Sequence, residues 1–294
     1  MLNRSYLFIP GDSEKKLGKA QSLGADALIL CLEDAVADSN KARAREMTRD
    51  YLLSHRATTA SELWVRVNAL DTEHILADLV AIMAAAPAGI FLPKPSCGDD
   101  VKVVDNYLTV LEQQNGVEAG STKILSLAES ALGAVNIGSF VGASQRLSAI
   151  TWGAEDMATD LGALGNVDDN GDYFLVHQMG RASCLTVGAA GGMQVVDSVF
   201  TDYKDEAGLR TECIRSRREG FTGKMAIHPA QVAVINECFS PSDEEVEHAR
   251  KILKAFEESG GAGAVGLDGK MLDRPHLKQA QRLLAGVKAT NRRF

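Results

Sequence analysis

Eight short apolar runs recur through the first 229 residues: YLFIP, ALILCLED, LWVRVN, GIFLPK, KILSLAES, LSAITWGAED, MQVVDS and KMAIHP. Each is a continuous apolar stretch rather than an apolar/polar alternation, as expected of parallel strands covered on both faces. Segments of helical period lie between them. In DDVKVVDNYLTVLEQ, Val101, Val104, Leu108 and Leu111 fall on one helical face. SNKARAREMTRDYLL reads as a helix that starts at a Ser39 cap. Eight strand–helix units predict a closed (β/α)8 TIM barrel. A doubly wound open sheet is the alternative, and the even spacing favours closure.

The barrel is expected over residues 1–240, with a helical extension over 241–294 that acts as a lid. SPSDEEVEHARKILKAFEES has Ser242 and Glu245 at capping-box spacing. GGAGAVGLDGK is glycine-rich and reads as a flexible hinge. Gly261, Gly263 and Gly266 match G-x-G-x-x-G, but they follow a helix rather than a strand, which argues against a dinucleotide site. HLKQAQRLLAG is a final short helix, with Leu277, Leu283 and Leu284 available for docking.

A formal charge of -8 argues against a nucleic-acid partner. No apolar run is long enough to span a membrane, and the N-terminus has no secretory h-region. The five cysteines are scattered without a C-x-x-C, which predicts buried thiols in a reducing cytoplasm rather than zinc or disulfides.

A barrel of this kind places its chemistry where strands end, because those loops build one mouth. The strand ends here carry Pro10-Gly11, Glu33-Asp34, Arg66 to Asn68, Lys94, Glu129, Glu155-Asp156, Asp197 and His228. Six of these residues are carboxylates and two, Arg66 and Lys94, are basic. Carboxylates crowded together repel and raise each other's pKa unless a cation sits among them. There is no His pair, H-E-x-x-H or cysteine cluster, so the expected ion is a hard one such as Mg2+. Arg66 can grip a substrate carboxylate with both arms of its fork. Cation and Arg together suit an α-keto or α-hydroxy acid. Pro10, Gly11 and Lys94 are further candidates for substrate contact; no lysine is distinguished as a Schiff-base former, and Lys94, between two prolines, is the only candidate.

The motifs RSYLFIPGDSEKKLGKA, LEDAVA, WVRVNALDT, IFLPKP, LAESALGAVN, WGAEDMATDLGA, KMAIHPAQV and GKMLDRPHLKQAQRLL resemble, in this order, the citrate lyase β-subunit-like family. That family includes malyl-CoA and citramalyl-CoA lyases, within the aldolase/citrate lyase superfamily. The resemblance runs from about residue 4 to residue 286. It implies a TIM barrel with a C-terminal lid, and Mg2+-dependent cleavage or formation of a carbon–carbon bond between a keto acid and a CoA thioester. It further implies Glu129 and Asp156 as metal ligands, and Arg66 as the clamp on the substrate carboxylate. Asp34 and Glu33 become holders of metal-bound water. Asp273 becomes a lid acid/base that reaches a neighbouring subunit, which implies homotrimers or their multiples.

For the CoA moiety only Arg4, Lys15 and Lys16 offer themselves, and the aspartate-bearing stretch 164–174 reads as a solvated loop before a helix, with a border of the acyl pocket as the alternative. The leading expectation is a lyase acting on malyl-, citramalyl- or citryl-CoA. Two alternatives remain: a thioesterase or non-CoA aldolase on the same site, and the β subunit of an acyl-carrier-protein-dependent citrate lyase.

Overall fold

The structure, a computed structural model, describes residues 2–290. Residues 3–237 form one unit, built on a closed barrel of eight parallel strands. These are β1 (Ser5–Pro10), β2 (Ala27–Cys31), β3 (Glu62–Arg66), β4 (Gly89–Leu92), β5 (Lys123–Ala128), β6 (Leu147–Trp152), β7 (Gln194–Asp197) and β8 (Gly223–Ala226). Every expected apolar run is a strand, and the strands follow chain order around the ring. β1 pairs with β2 from Tyr6↔Ala27 to Pro10↔Cys31, and closes on β8 from Ser5↔Lys224 to Leu7↔Ala226. Closure leaves no edge strand to protect.

Large side chains meet small ones inside the ring. Tyr6, Trp64 and Phe91 are buried beside Ala27 and Ala149. Gly89 makes this possible: a Cβ there would stand 2.3 Å from Cζ3 of Trp64. Outside, the helix Gly98–Asn115 buries Val101, Val104, Leu108 and Leu111, as its period requires. Each such side chain contributes about 1.5–3 kcal/mol.

Ser39 is not a helix cap. It lies in a 3-10 turn, Asp38–Asn40, and Asn40 precedes the helix Lys41–His55 without a side-chain cap bond. The start of this helix is tied down by Lys41 instead, whose Nζ donates to the carbonyls of Leu32 at 2.8 Å and Glu33 at 3.0 Å.

The described residues from Cys238 onward belong to a second compact unit. The helix Asp243–Glu258 opens with the expected Ser242–Glu245 capping box. The glycine-rich stretch that follows is not a structureless hinge. It forms an antiparallel hairpin of β9 (Ala264–Leu267) and β10 (Lys270–Asp273). Asp268 and Gly269 turn it, with φ of 48° and 75°. Asp-Gly with positive φ at both positions is the hairpin turn that matches strand twist. The final helix, Arg274–Thr290, does not hold Leu277, Leu283 and Leu284 in reserve. They pack around Ala249, Ile252, Phe256, Leu272 and Ala280, the small core of this unit. Residues 291–294 of the expected extension lie outside the described residues.

Candidate active site

Two carboxylates meet where β5 and β6 end. Glu129 follows β5 directly and is 3% exposed, and Asp156 lies in the first turn of the helix Ala154–Asp160, just past β6. Gly153 lets them approach, since a Cβ there would stand 2.8 Å from the Glu129 Cβ. Glu129 Oε1 is buried without a hydrogen-bond partner. Burial and the neighbouring Asp156 together push the Glu129 carboxyl well above its usual range. A buried anion beside a second anion, with a bare oxygen, is a place for a cation.

The donors fit Mg2+. Both are oxygens, and among the described residues no group of three or more Asp, Glu, His or Cys is placed to hold a metal. An ion with two protein carboxylates must complete its shell with water and substrate oxygens, which is the habit of Mg2+.

Glu33 and Arg66 form the second half of the site. Glu33, just past β2, is 5% exposed. Its Oε2 lies 3.0 Å from Arg66 Nη1, and its Oε1 accepts from Lys94 Nζ at 3.0 Å. Burial pushes the Glu33 carboxyl up, and Arg66 and Lys94 oppose that shift. Arg66 ends β3. Its Nε donates to Cys31 Sγ at 3.2 Å and its guanidinium lies 4.8 Å over the Phe8 ring. Stacking and the sulfur contact set the plane of the fork. Asp34 is more exposed, 3.7 Å from Lys94 Nζ.

Arg66, Glu129 and Asp156 line one cavity of about 630 Å³, together with Pro10, Thr151 and His228. That volume is ordinary for a small-molecule site. Lys15, Lys16 and Lys19 stand at its rim. Glu33, Asp34 and Lys94 line an adjoining hollow of about 480 Å³. Gly11 lines neither. Its N–H donates to the Cys31 carbonyl at 2.9 Å, and a Cβ would meet Thr48 Oγ1 at 2.7 Å, so it serves the tight β1 exit. Asp273 belongs to the other unit; its exposed carboxylate lies 2.6 Å from His276 Nδ1.

Two expectations fail. Asp197 ends β7 but is not open to a cation. It is buried, accepts from Trp152 Nε1 at 2.8 Å and Ser216 Oγ at 2.5 Å, and pairs with Lys224 and Arg181. These partners outweigh burial and hold its carboxyl well below the usual range. Arg4 offers nothing to phosphate at the mouth. It grips Asp26 through Nε at 2.8 Å and Nη2 at 2.9 Å, at the entry of β1 and the opposite end of the barrel.

Lys41 and Asn68 carry weight that strand-end reading missed for one and left general for the other. The buried Lys41 Nζ donates to Asn68 Oδ1 at 2.8 Å as well as to the Leu32 and Glu33 carbonyls. Asn68 Nδ2 donates to the Leu32 carbonyl at 3.0 Å and to Asp78 Oδ2 at 2.6 Å. Arg45 closes the chain on Asp78 at 2.7 Å. This network clamps the turn that bears Glu33 and Asp34. Nothing in a lysine seven residues beyond Asp34 announces it.

Residues 4–229 match the family described as HpcH/HpaI aldolase/citrate lyase. Residues 172–289 match a carbon–carbon bond lyase family of the TIM-barrel fold. A (3S)-malyl-CoA thioesterase of Cereibacter sphaeroides is 38% identical, over 97% of this chain and 95% of the relative. A citrate lyase subunit beta of Haemophilus influenzae is 35% identical, over 98% of each chain. Among solved structures, protein CitE of Mycobacterium tuberculosis, crystallised with magnesium, acetoacetate and coenzyme A, superimposes with a TM-score of 0.80. It is 31% identical and covers 96% of this chain and 97% of its own.

Proposed function

Because the chain belongs to the HpcH/HpaI aldolase/citrate lyase family, we propose that it is a Mg2+-dependent carbon–carbon lyase. It would cleave, or form, a 3-hydroxyacyl-CoA such as malyl-, citramalyl- or citryl-CoA, interconverting it with a keto acid and an acyl-CoA. The observation that carries this reading is the buried, unpartnered Glu129 Oε1 beside Asp156, in one cavity with Arg66. CitE, the solved neighbour, holds magnesium, acetoacetate and coenzyme A together.

Glu129 and Asp156 would hold the ion, with Glu33 and Asp34 on its waters. The ion would supply Lewis-acid polarisation of the substrate's oxygens. Arg66, stacked on Phe8, would orient the substrate carboxylate. Cleavage would move the electron pair of the breaking carbon–carbon bond onto the thioester α-carbon, while the hydroxyl gives its proton to a base and becomes the keto group, so that one proton leaves oxygen and one is returned to carbon. The α-carbon then needs a proton, and synthesis must remove one from the same place. Asp273 is the candidate for that transfer, acting in the site of a neighbouring copy from the C-terminal unit as a lid. Lys94 and Pro10 would border the substrate. Lys15, Lys16 and Lys19 at the rim suit the phosphates of coenzyme A.

The role given to Asp273 requires an oligomer, and the family resemblance makes a homotrimer or a multiple of it the form we propose. A cytoplasmic setting is supported by five free cysteines. No helix among the described residues is long and apolar enough to cross a membrane. Hydrolysis of the same thioesters is the second reading, favoured by the thioesterase relative at 38% identity.

The test is mass-spectrometric analysis of products from a panel of hydroxyacyl-CoAs and free acids, with and without Mg2+. Keto acid plus acyl-CoA, dependent on Mg2+, supports the lyase. Free CoA plus intact hydroxy acid supports hydrolysis. No turnover of any CoA thioester defeats both.

A further inference from the structure

Lys94 is held in an unfavourable backbone conformation. Its φ is +52°, in the left-handed region, and it is not a glycine. Pro93 and Pro95 flank it. A non-glycine residue persists there only when its surroundings over-determine it, and such positions cluster at functional sites.

The side chain explains what the strain achieves. Its Nζ reaches Glu33 Oε1 at 3.0 Å, Asp34 Oδ2 at 3.7 Å and Asp156 Oδ1 at 3.3 Å. One ammonium from the end of β4 thus ties carboxylates from beyond β2 to one from beyond β6. The alternatives are spent: Arg66 is committed to Glu33 and Cys31. Among the described residues, Asp156 has no cation partner but Lys94.

We infer that the Lys94 ammonium competes with a divalent ion for Asp156, so that the ion binds by displacing it from that carboxylate. The inference rests on the reading of Glu129 and Asp156 as the metal ligands. A single positive charge at Asp156 repels an incoming dication across a distance at which charges in a protein interact strongly. The hydrogen bond to Glu33 gives the displaced ammonium a place to remain, and the side chain is 34% exposed, so it has room to swing. A monovalent ion carries no more charge than the ammonium it must remove, so only a divalent ion gains from the exchange. Lys94 then sets both the affinity and the charge selectivity of the site.

Mn2+ titration calorimetry on the metal-free full chain tests this. Lys94→Asn removes the charge and keeps a residue that tolerates positive φ, and Lys94→Gly does so with no side chain if the asparagine variant folds poorly. Both should bind Mn2+ at least tenfold more tightly than the parent, while Lys94→Arg should not. Affinity equal to or weaker than the parent in the neutral variants overturns the inference. Asp156→Ala separates the two layers. If it binds Mn2+ like the parent, or the parent binds none, the metal-site reading fails and the inference falls with it. If Asp156→Ala loses binding but Lys94→Asn gains none, the inference alone is wrong.

Discussion

Gly153 and Glu129 stand so close that a Cβ on the glycine would lie 2.8 Å from the Glu129 Cβ and 2.9 Å from its Oε2. The contact falls on the root of the side chain, so the carboxylate cannot swing aside cheaply. Gly153→Ala should push Glu129 off its position and cost about 1–3 kcal/mol of stability by overpacking. Mn2+ affinity should fall at least tenfold, for a ligand moved by a few tenths of an ångström is a poorer ligand. Calorimetry together with a thermal melt checks both. Parent-like metal affinity in this variant would detach Glu129 from the metal.

Arg66 makes three contacts from one planar fork, the Glu33 pair, the Cys31 sulfur and the Phe8 face, and a single lysine ammonium cannot hold all three at once. Arg66→Lys keeps the charge and loses the fork. A charged hydrogen bond is worth about 1.5–3 kcal/mol, so kcat/KM should drop roughly tenfold to a hundredfold. Steady-state kinetics on whichever thioester proves active decides it. An unchanged rate and KM would remove Arg66 from substrate recognition.

Glu112 supplies a pH test away from the site. It is buried and accepts from Arg146 at 2.6 and 2.7 Å, and from the amides of Gly120 at 2.7 Å and Thr122 at 2.9 Å. Burial alone would raise its carboxyl, and these donors outweigh it and hold it at about 2. An unfolded glutamate titrates near 4.3, so the folded value is depressed. The stabilisation is therefore present above that value and is lost as pH falls toward 2. Glu112→Gln should cost about 3 kcal/mol at pH 7, and urea unfolding should show the gap to the parent narrowing by pH 3. A gap independent of pH would refute the assignment.

Lys41 is buried with three neutral acceptors and no carboxylate: the carbonyls of Leu32 and Glu33, and Asn68 Oδ1. Lys41→Met keeps the length and strands Asn68 Oδ1, while the Leu32 carbonyl keeps Asn68 Nδ2 and the Glu33 carbonyl keeps the Val36 amide. An unmet buried group costs about 1–3 kcal/mol, and the turn bearing Glu33 and Asp34 loses its clamp. Thermal denaturation should show a loss of several degrees, with Mn2+ affinity falling as well. A variant as stable as the parent would mean that the Asn68–Asp78 contacts suffice.

If Asp273 acts in a neighbouring copy, mixing inactive Asp273→Asn chains with inactive Asp156→Ala chains should restore activity. An intact metal centre and an intact lid would then meet in mixed oligomers. Tagged chains must first be shown to exchange. An exchanging mixture that stays dead would place Asp273 outside the neighbour's site.

The barrel was legible because burial on both faces writes itself into composition: all eight apolar runs became strands. So was the capping box at Ser242, since its bonds span only three residues. The hairpin at Asp268-Gly269 was also written locally, yet glycine-rich composition masked the turn signal. What sequence order could not decide is which strand ends face which neighbours. Asp197 and Glu129 follow the same rule, an acid at a strand end. Only the fold gives Asp197 its Lys224 and Arg181, and leaves Glu129 Oε1 bare. Lys94 and Asp156 lie far apart in the chain and meet at 3.3 Å only because ring closure sets β4 and β6 around one mouth. Local chemistry determines elements, because its forces act over a few residues. A carboxylate's role depends on the charge and burial around it, and those neighbours are supplied by the tertiary fold.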